Sequence, residues 1–111
     1  MSVNKAILVG NMGDDIKITK FENGNCVGTF PLATNESYVD KQSGEKVTKT
    51  DWHNIVVRNR TAEVLAQYTG KGDQIYLEGM IRTRNYQAQD GQTRYTTEIH
   101  VHSFTFLNNK Q

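Results

Sequence analysis

The sequence has one cysteine, one proline, almost no net charge and no long apolar run. Cys26 has no second cysteine to pair with, which excludes a small secreted scaffold held together by internal disulfides. No apolar stretch approaches the roughly 20 residues that span a bilayer, and the start MSVNKAILVGN lacks a secretory signal, so we expect a soluble cytoplasmic protein without a membrane partner. The formal net charge of +1 excludes binding of a polyanion through bulk charge alone. Any anion site must depend on where the charges are placed.

The pattern of the chain predicts one antiparallel all-β domain over residues 1–111, a length that can enclose a single core. Runs rich in valine, isoleucine, threonine and aromatics alternate with turn residues. A helix of about two turns is predicted over Thr61–Tyr68, with Thr61 as its N-cap. The predicted strands are Val3–Gly10, Ile16–Phe21, Cys26–Glu36, Thr48–Val57, Gln74–Tyr86 and Arg94–Leu107.

This order of elements suits a closed barrel of the OB type, a five-stranded Greek-key barrel with the short helix between strands 3 and 4. A β-sandwich is the alternative. The long final strands favour the barrel because they must bend, and Gly28 and Gly79 lie where a barrel strand could coil. Pro31 falls inside a predicted strand, which implies an edge or bulge position there.

Strand parity places cations and aromatics together on outward faces, because alternate residues of a strand share a face. In the segment IRTRNYQAQDGQTRYTTEIHV, Arg82, Arg84 and Tyr86 share one face and Arg94 follows the Asp90-Gly91 turn. The other parity predicts an apolar inner face formed by Ile75, Leu77, Gly79 and Ile81.

The segment KTDWHNIVVRNR repeats that arrangement. Trp52 and Arg58 share a face with Asn54 and Val56, and the opposite face carries His53, Ile55 and Val57. The alternative is that Trp52 plugs the barrel interior, since tryptophan is usually largely buried. A third segment places Tyr38 before a loop that contains Lys41, Lys46 and Lys49.

Aromatics beside cations on separate strands are typical of a stacking platform next to a groove that follows phosphates. We therefore expect these rings to converge on one outer trough, wide enough for an unpaired nucleic-acid strand. Each stacked base contributes about 1 to 3 kcal/mol, so two or three rings suffice without reading base edges.

Five segments resemble, in order, the bacterial single-stranded DNA-binding protein (SSB) family. They are NKAILVGNMGDD, LATNESYVDKQSGE, TDWHNIVV, AEVLAQYTGKGDQIYLEGMIRTRNY and DGQTRYTTEI, and the resemblance covers about Val3 to Val101. It implies an OB fold, a homotetramer, and sequence-tolerant binding that coats single-stranded DNA during replication, recombination or repair. The implied protein is not an enzyme and needs no cofactor or metal.

The resemblance assigns roles to individual residues. Tyr38, Trp52 and Tyr86 match stacking tryptophans, and Arg58 stands where many members have a stacking phenylalanine, so we expect a larger salt dependence. Asn54 and Asn85 stand where the family is often basic. The implied and parity-derived cations are Lys5, Lys41, Lys46, Lys49, Arg58, Arg60, Lys71, Arg82, Arg84 and Arg94.

The resemblance also bears on assembly. We expect a dimer contact through the first strand, Ser2 to Val9, because an exposed regular edge seeks a partner. The expected interface residues are Val3, Lys5, Ile7, His53 and Tyr76. The chain ends at FTFLNNKQ without the acidic tip of cellular members, so we expect no tail-mediated recruitment of replication proteins.

The sequence was also weighed against a zinc site, a nuclease and a different kind of binding module. His100 and His102 share a strand face, but zinc sites usually bring paired ligands from two loops, and only one such pair exists. A nuclease using His53 or His100 would need an acid cluster for magnesium or a nucleophile beside a base, which the sequence does not offer. An OB-fold module that binds RNA or docks a protein remains the alternative function.

Overall fold

The computed structural model describes residues 1–107 and contains six strands and one short helix. The alternation of β-branched residues with polar residues gives long strands, and glycines at positive φ, such as Gly44 and Gly91, allow the turns between them. The elements are β1 (Ala6–Met12), β2 (Lys17–Lys20), β3 (Cys26–Val39), β4 (Lys46–Arg58), α1 (Asn59–Tyr68), β5 (Gln74–Gln87) and β6 (Thr93–Phe106).

The sheet closes into a barrel because the first strand is bent. Its two halves, β1 and β2, both pair with β3, while β1 also pairs with β5. The strand order is β1-β5-β6-β4-β3-β2, and the β1–β3 contact at Asn11 and Ala33 completes the circuit. Counted with β1 and β2 as one strand, this is a five-stranded barrel with its helix between the third and fourth strands. The OB-type prediction is confirmed.

The barrel interior is filled by side chains that strand alternation predicted to point inward. Ile55 and Val57 on β4 and Ile75 and Leu77 on β5 are fully buried. The helix covers the core with Ala62 and Leu65, which are also fully buried. The arrangement leaves the opposite parity of each strand on the outside, where a ligand can reach it.

Two long hairpins extend beyond the closed part of the barrel. The β3–β4 arm (residues 35–51) and the β5–β6 arm (residues 81–97) are exposed along most of their length, on both faces. Ile81 belongs to the second arm, so the prediction that it lies on the inner face is wrong; its side chain is exposed because the barrel ends before it. The arms also explain why β3 and β4 run further than the sequence predicted.

Pro31 lies where β3 lacks a strand partner on one side. The break between β1 and β2 faces it, and its carbonyl oxygen accepts a 2.8 Å hydrogen bond from the N–H of Gly13. Proline has no N–H to donate, so this local edge suits it.

The ends of β1 and α1 differ from the predicted ends. Ladder pairing of β1 begins at Ala6 rather than Val3. Ahead of it the Asn4 side chain replaces backbone pairing, since its amide bonds both the N–H and the C=O of Ile81 at 2.8 Å. The helix begins at Asn59 with Arg58 at the N-cap, so the prediction of Thr61 as the cap is wrong. Within residues 1–107, no helix combines the length and apolar character that a bilayer crossing requires.

Candidate nucleic-acid interface

Pairing register brings the two predicted aromatic-and-cation segments onto one outer face. Asn54 of β4 lies opposite Glu98 of β6, which in turn lies opposite Arg82 of β5. Residues in register point to the same side of a sheet. Trp52, which alternates with Asn54 on β4, therefore points to the same face as Tyr86, which alternates with Arg82 and Arg84 on β5. We call this surface the front face. It carries Trp52, Asn54, Val56 and Arg58 on β4, and Arg82, Arg84 and Tyr86 on β5.

The front face contains an open depression of about 650 Å³. Strands β2 to β6 and the β1–β2 turn contribute to it, and its walls mix aromatic, basic, acidic and small polar groups. A concave surface of this kind, open to solvent along its length, suits a flexible chain better than a compact small molecule. The lining residues are Asp14, Asp15, Lys17, Thr29, Phe30, Pro31, Asn54, Ile55, Val56, Arg84, Tyr86, Thr96 and Glu98.

Trp52 has 62% of its surface exposed, which excludes the alternative that it plugs the barrel, and it is not among the residues that line the depression. Its ring packs over the backbone of Gly13 beside Pro31, and a Cβ on Gly13 would collide with the ring. Glycine at this position is therefore what lets the indole lie against the β1–β2 turn. Tyr86, 44% exposed, lines the depression itself, as does Pro31 beside the Trp52 ring.

Between the aromatics, a buried carboxylate holds one of the arginines. Glu98 is only 7% exposed, accepting a 2.9 Å hydrogen bond from Nε of Arg84 and lying 3.1 Å from Nε2 of His100. Burial raises the pKa of Glu98, but the hydrogen bonds from Arg84 and His100 outweigh it and hold the pKa below the ordinary value. The pair fixes Arg84 within the depression. Sequence reasoning missed Glu98.

The remaining predicted cations are spread more widely. Arg82 donates to Sδ of Met80 at 3.1 Å, and Arg94 pairs with Asp90 at 2.9 Å, so both lie along the β5–β6 arm. Hydrogen bonds from the Gln92 N–H and from Arg94 lower the pKa of Asp90. Lys17, which the sequence analysis did not select, lines the depression. The structure does not place Lys5, Lys41, Lys46, Lys49, Arg58, Arg60, Lys71, Arg82 or Arg94 in its lining.

Tyr38 does not share the front face, and the expectation that all three rings converge on one trough is wrong. Tyr38 lies opposite Val47, whereas Trp52 lies opposite Ala33. The β3–β4 register runs without a shift between these pairs, so the two rings have opposite parity on the hairpin. Tyr38 is 56% exposed on the back of the β3–β4 arm. Lys49 points to the same back face as Tyr38, whereas Lys46 points to the face of Trp52.

The predicted interface residues fall in two places. Lys5, Ile7 and Tyr76 lie on the outer side of β1 and β5, where Lys5 pairs with Glu78 at 3.1 Å. That ion pair and a hydrogen bond from Tyr76 lower the pKa of Glu78, and the Glu78 bond raises the pKa of Tyr76. Val3 is exposed just before β1.

His53 lies apart from that group, and its Nε2 is 2.9 Å from Oγ1 of Thr34. His100 is likewise engaged, with Glu98, and Cys26 bonds to Asn59. Across residues 1–107, no cluster of three or more histidine, cysteine, aspartate or glutamate side chains could hold a metal ion.

Comparisons with known proteins bear on this surface. The model of the single-strand binding protein family matches residues 3–107. A single-stranded DNA-binding protein of Bacteroides thetaiotaomicron is 49% identical over 111 residues, an alignment that covers 99% of this chain and 69% of the relative. The fold is similar to that of the Plasmodium falciparum SSB solved in complex with ssDNA, with a TM-score of 0.86, 35% identity and 97% coverage of both chains.

Proposed function

Because the chain belongs to the single-strand binding protein family, whose members bind single-stranded DNA and catalyse no reaction, we propose that it holds the strand on its front face. Bases stack on Trp52 and Tyr86, and arginines neutralise the phosphates between them. The observation that carries this proposal is the shared outer parity of Trp52 and Tyr86: Tyr86 lines the depression, and Trp52 packs at Gly13 beside Pro31, which also lines it.

Stacking on these rings explains binding without sequence preference. Every base has an aromatic face, so a half-exposed indole and phenol accept any nucleotide, at about 1 to 3 kcal/mol for each stacked base. Base-edge recognition would require fixed donors and acceptors that match one base. The contact of the Trp52 ring with Gly13 supports this role, because a ring that already packs on one side loses less side-chain entropy when a base stacks on it.

Phosphate contacts come from the cations that border the two rings. Arg84 is held by Glu98 through Nε, which directs a planar guanidinium into the depression. Arg58 and Arg82 lie on the same face of the sheet as Arg84, and Lys17 lines the depression. Each phosphate contact adds roughly 0.7 to the slope of log affinity against log salt for a single strand.

The other predicted contacts extend the path beyond the depression. Tyr38, Lys41, Lys46 and Lys49 follow the β3–β4 arm, and Arg94 lies on the β5–β6 arm. Lys5, Arg60 and Lys71 lie on the barrel outside the depression, as contacts for a strand that wraps around an oligomer.

In the cell, the protein would coat and protect single strands in the cytoplasm during replication, recombination or repair. We propose that it acts as a homotetramer built from dimers that pair along β1. RNA binding and protein docking are the competing roles. Competition between matched RNA and DNA oligomers decides the first, since selectivity for RNA would contradict the DNA-coating role.

The site is tested by the affinity of oligo-dT for variants of the two rings. Trp52→Ala and Tyr86→Ala should each weaken binding by about 1 to 3 kcal/mol, because each removes one stacked base. Tyr68→Ala removes an exposed ring at the end of α1, outside the lining of the depression, and should bind as the unmodified chain does. Unchanged affinity in both ring variants would contradict the proposed site.

A further inference from the structure

The back of the β5–β6 arm carries an aromatic ring that the proposed site does not use. Tyr95 lies opposite Asn85, one residue along from the Tyr86–Arg94 pair, and so points to the face opposite Tyr86. It is the most exposed tyrosine among residues 1–107, at 69%. The ring contacts found in that range join Tyr68, Phe104 and Phe106, so Tyr95 has no aromatic neighbour there.

The surroundings of Tyr95 indicate the chemistry of what would cover it. Its neighbours on the same face are Thr83, Asn85 and Thr97, which are polar, and Ile81 is the main apolar side chain nearby. A protein partner would require a broader apolar patch than this. The three arginines of residues 81–97 have the parity of Tyr86 and so lie on the front of the arm, where Arg84 pairs with Glu98 and Arg94 with Asp90. An isolated exposed ring among uncharged polar side chains, on the reverse of a face that carries arginines, matches a strand whose phosphates stay on the front while a base stacks behind.

Aromatic rings on opposite faces also occur at the β3–β4 arm, so Tyr95 is not an isolated case. Trp52 lies on the front at the base of that arm, directly after its last residue, and Tyr38 lies on the back of the arm. At each arm an aromatic ring therefore lies on both sides of the hairpin, at the base in the case of Trp52, and each arm is exposed on both faces beyond the barrel.

We infer that Tyr95 is a further base-stacking residue, and that single-stranded DNA passes around the β5–β6 arm from Tyr86 on the front to Tyr95 on the back. The inference rests on the proposed function and extends its path. The two faces of a single two-stranded ribbon are separated by about 10 Å or less, a gap that a short run of unstacked nucleotides bridges. Tyr38 would meet the strand in the same way at the back of the other arm.

A tryptophan reporter tests this inference directly. The chain has one tryptophan. The double variant Trp52→Phe, Tyr95→Trp moves the only indole to the back of the arm and keeps a ring on the front. Saturating poly-dT should quench its emission. The matched double variant Trp52→Phe, Tyr68→Trp places the indole at the end of α1, outside both arms and outside the lining of the depression, and its emission should not change.

Affinity gives the second readout. Tyr95→Ala should weaken binding of poly-dT roughly tenfold, as expected for one lost stack, while Tyr95→Phe should retain the affinity because the ring remains. Unquenched emission at position 95 together with full affinity of Tyr95→Ala, while Trp52→Ala binds weakly, would overturn the inference and leave the front-face site intact. Full affinity of Trp52→Ala as well would instead overturn the proposed site.

Discussion

At the scale of single residues, Asn59 shows how one side chain connects the barrel to the helix. It has a φ of 52°, in the left-handed region that asparagine tolerates better than most residues. Its Oδ1 accepts the N–H of Cys26 at 3.0 Å, and the thiol of Cys26 bonds to the Asn59 carbonyl at 3.6 Å. Asn59 thus turns the chain from β4 into α1 while satisfying a buried part of β3.

Replacing Asn59 separates these two contributions. Asn59→Ala should lower the free energy of unfolding by about 2 kcal/mol or more, since it adds backbone strain and leaves the Cys26 N–H unpaired. Asn59→Gly should cost less, because glycine tolerates positive φ and only the hydrogen bond is lost. Urea denaturation of both variants measures the difference. Equal losses would mean that the backbone conformation contributes nothing.

Glu98 makes stability depend on pH with a defined sign. Its folded pKa is lower than the ordinary 4.5, so its ionised form stabilises the fold above that pH, and the contribution is lost as pH falls through the lowered pKa. Glu98→Gln should therefore be less stable at neutral pH and should lose less stability between about pH 6 and about pH 3. Urea denaturation at several pH values between about 3 and 6 measures this change in the free energy of unfolding. Glu22→Gln, in an exposed turn, is the control. A variant profile as steep as that of the unmodified chain would contradict this role.

At the scale of elements, alternation along strands was enough to predict most of the barrel and much of the site. It placed Ile55, Val57, Ile75 and Leu77 inside, and it grouped Trp52 with Arg58 outside. These results follow from the two-residue repeat of a strand and need no knowledge of its neighbours.

What alternation could not supply was the pairing between strands. The register of β3 against β4 decides that Tyr38 and Trp52 point to opposite faces, and the lengths of the arms decide that Ile81 is exposed. Glu98 was missed for the same reason, because its role depends on Arg84 lying beside it across β5 and β6. A carboxylate next to Ile99 on a strand that faces arginines is the signal that could have identified it.

At the scale of the whole molecule, the barrel separates two outward surfaces. The front face carries the proposed DNA contacts, and the outer side of β1 and β5 carries exposed Ile7 and Val9 beside Tyr76. Over Ala6–Gly10, β1 pairs with β5 on one side only. An unpaired edge flanked by exposed apolar side chains is suited to joining a second copy of the chain.

The proposed assembly can be tested on that edge. Ile7→Arg should reduce the solution mass below that of the unmodified protein, because it brings charge into the contact between copies. Phe21→Arg places the same charge on a turn and should leave the mass unchanged. Light scattering after size-exclusion chromatography gives the masses. An unmodified protein that runs as a monomer, or an Ile7→Arg variant of undiminished mass, would contradict the proposal.

The central claim is that bases of a single strand stack on the front face, and the intrinsic emission of Trp52 reports on it without modification of the protein. Titration with poly-dT should quench this emission until the DNA sites are saturated, in step with binding followed through labelled DNA. Binding of labelled DNA to saturation with no change in Trp52 emission would contradict the claim.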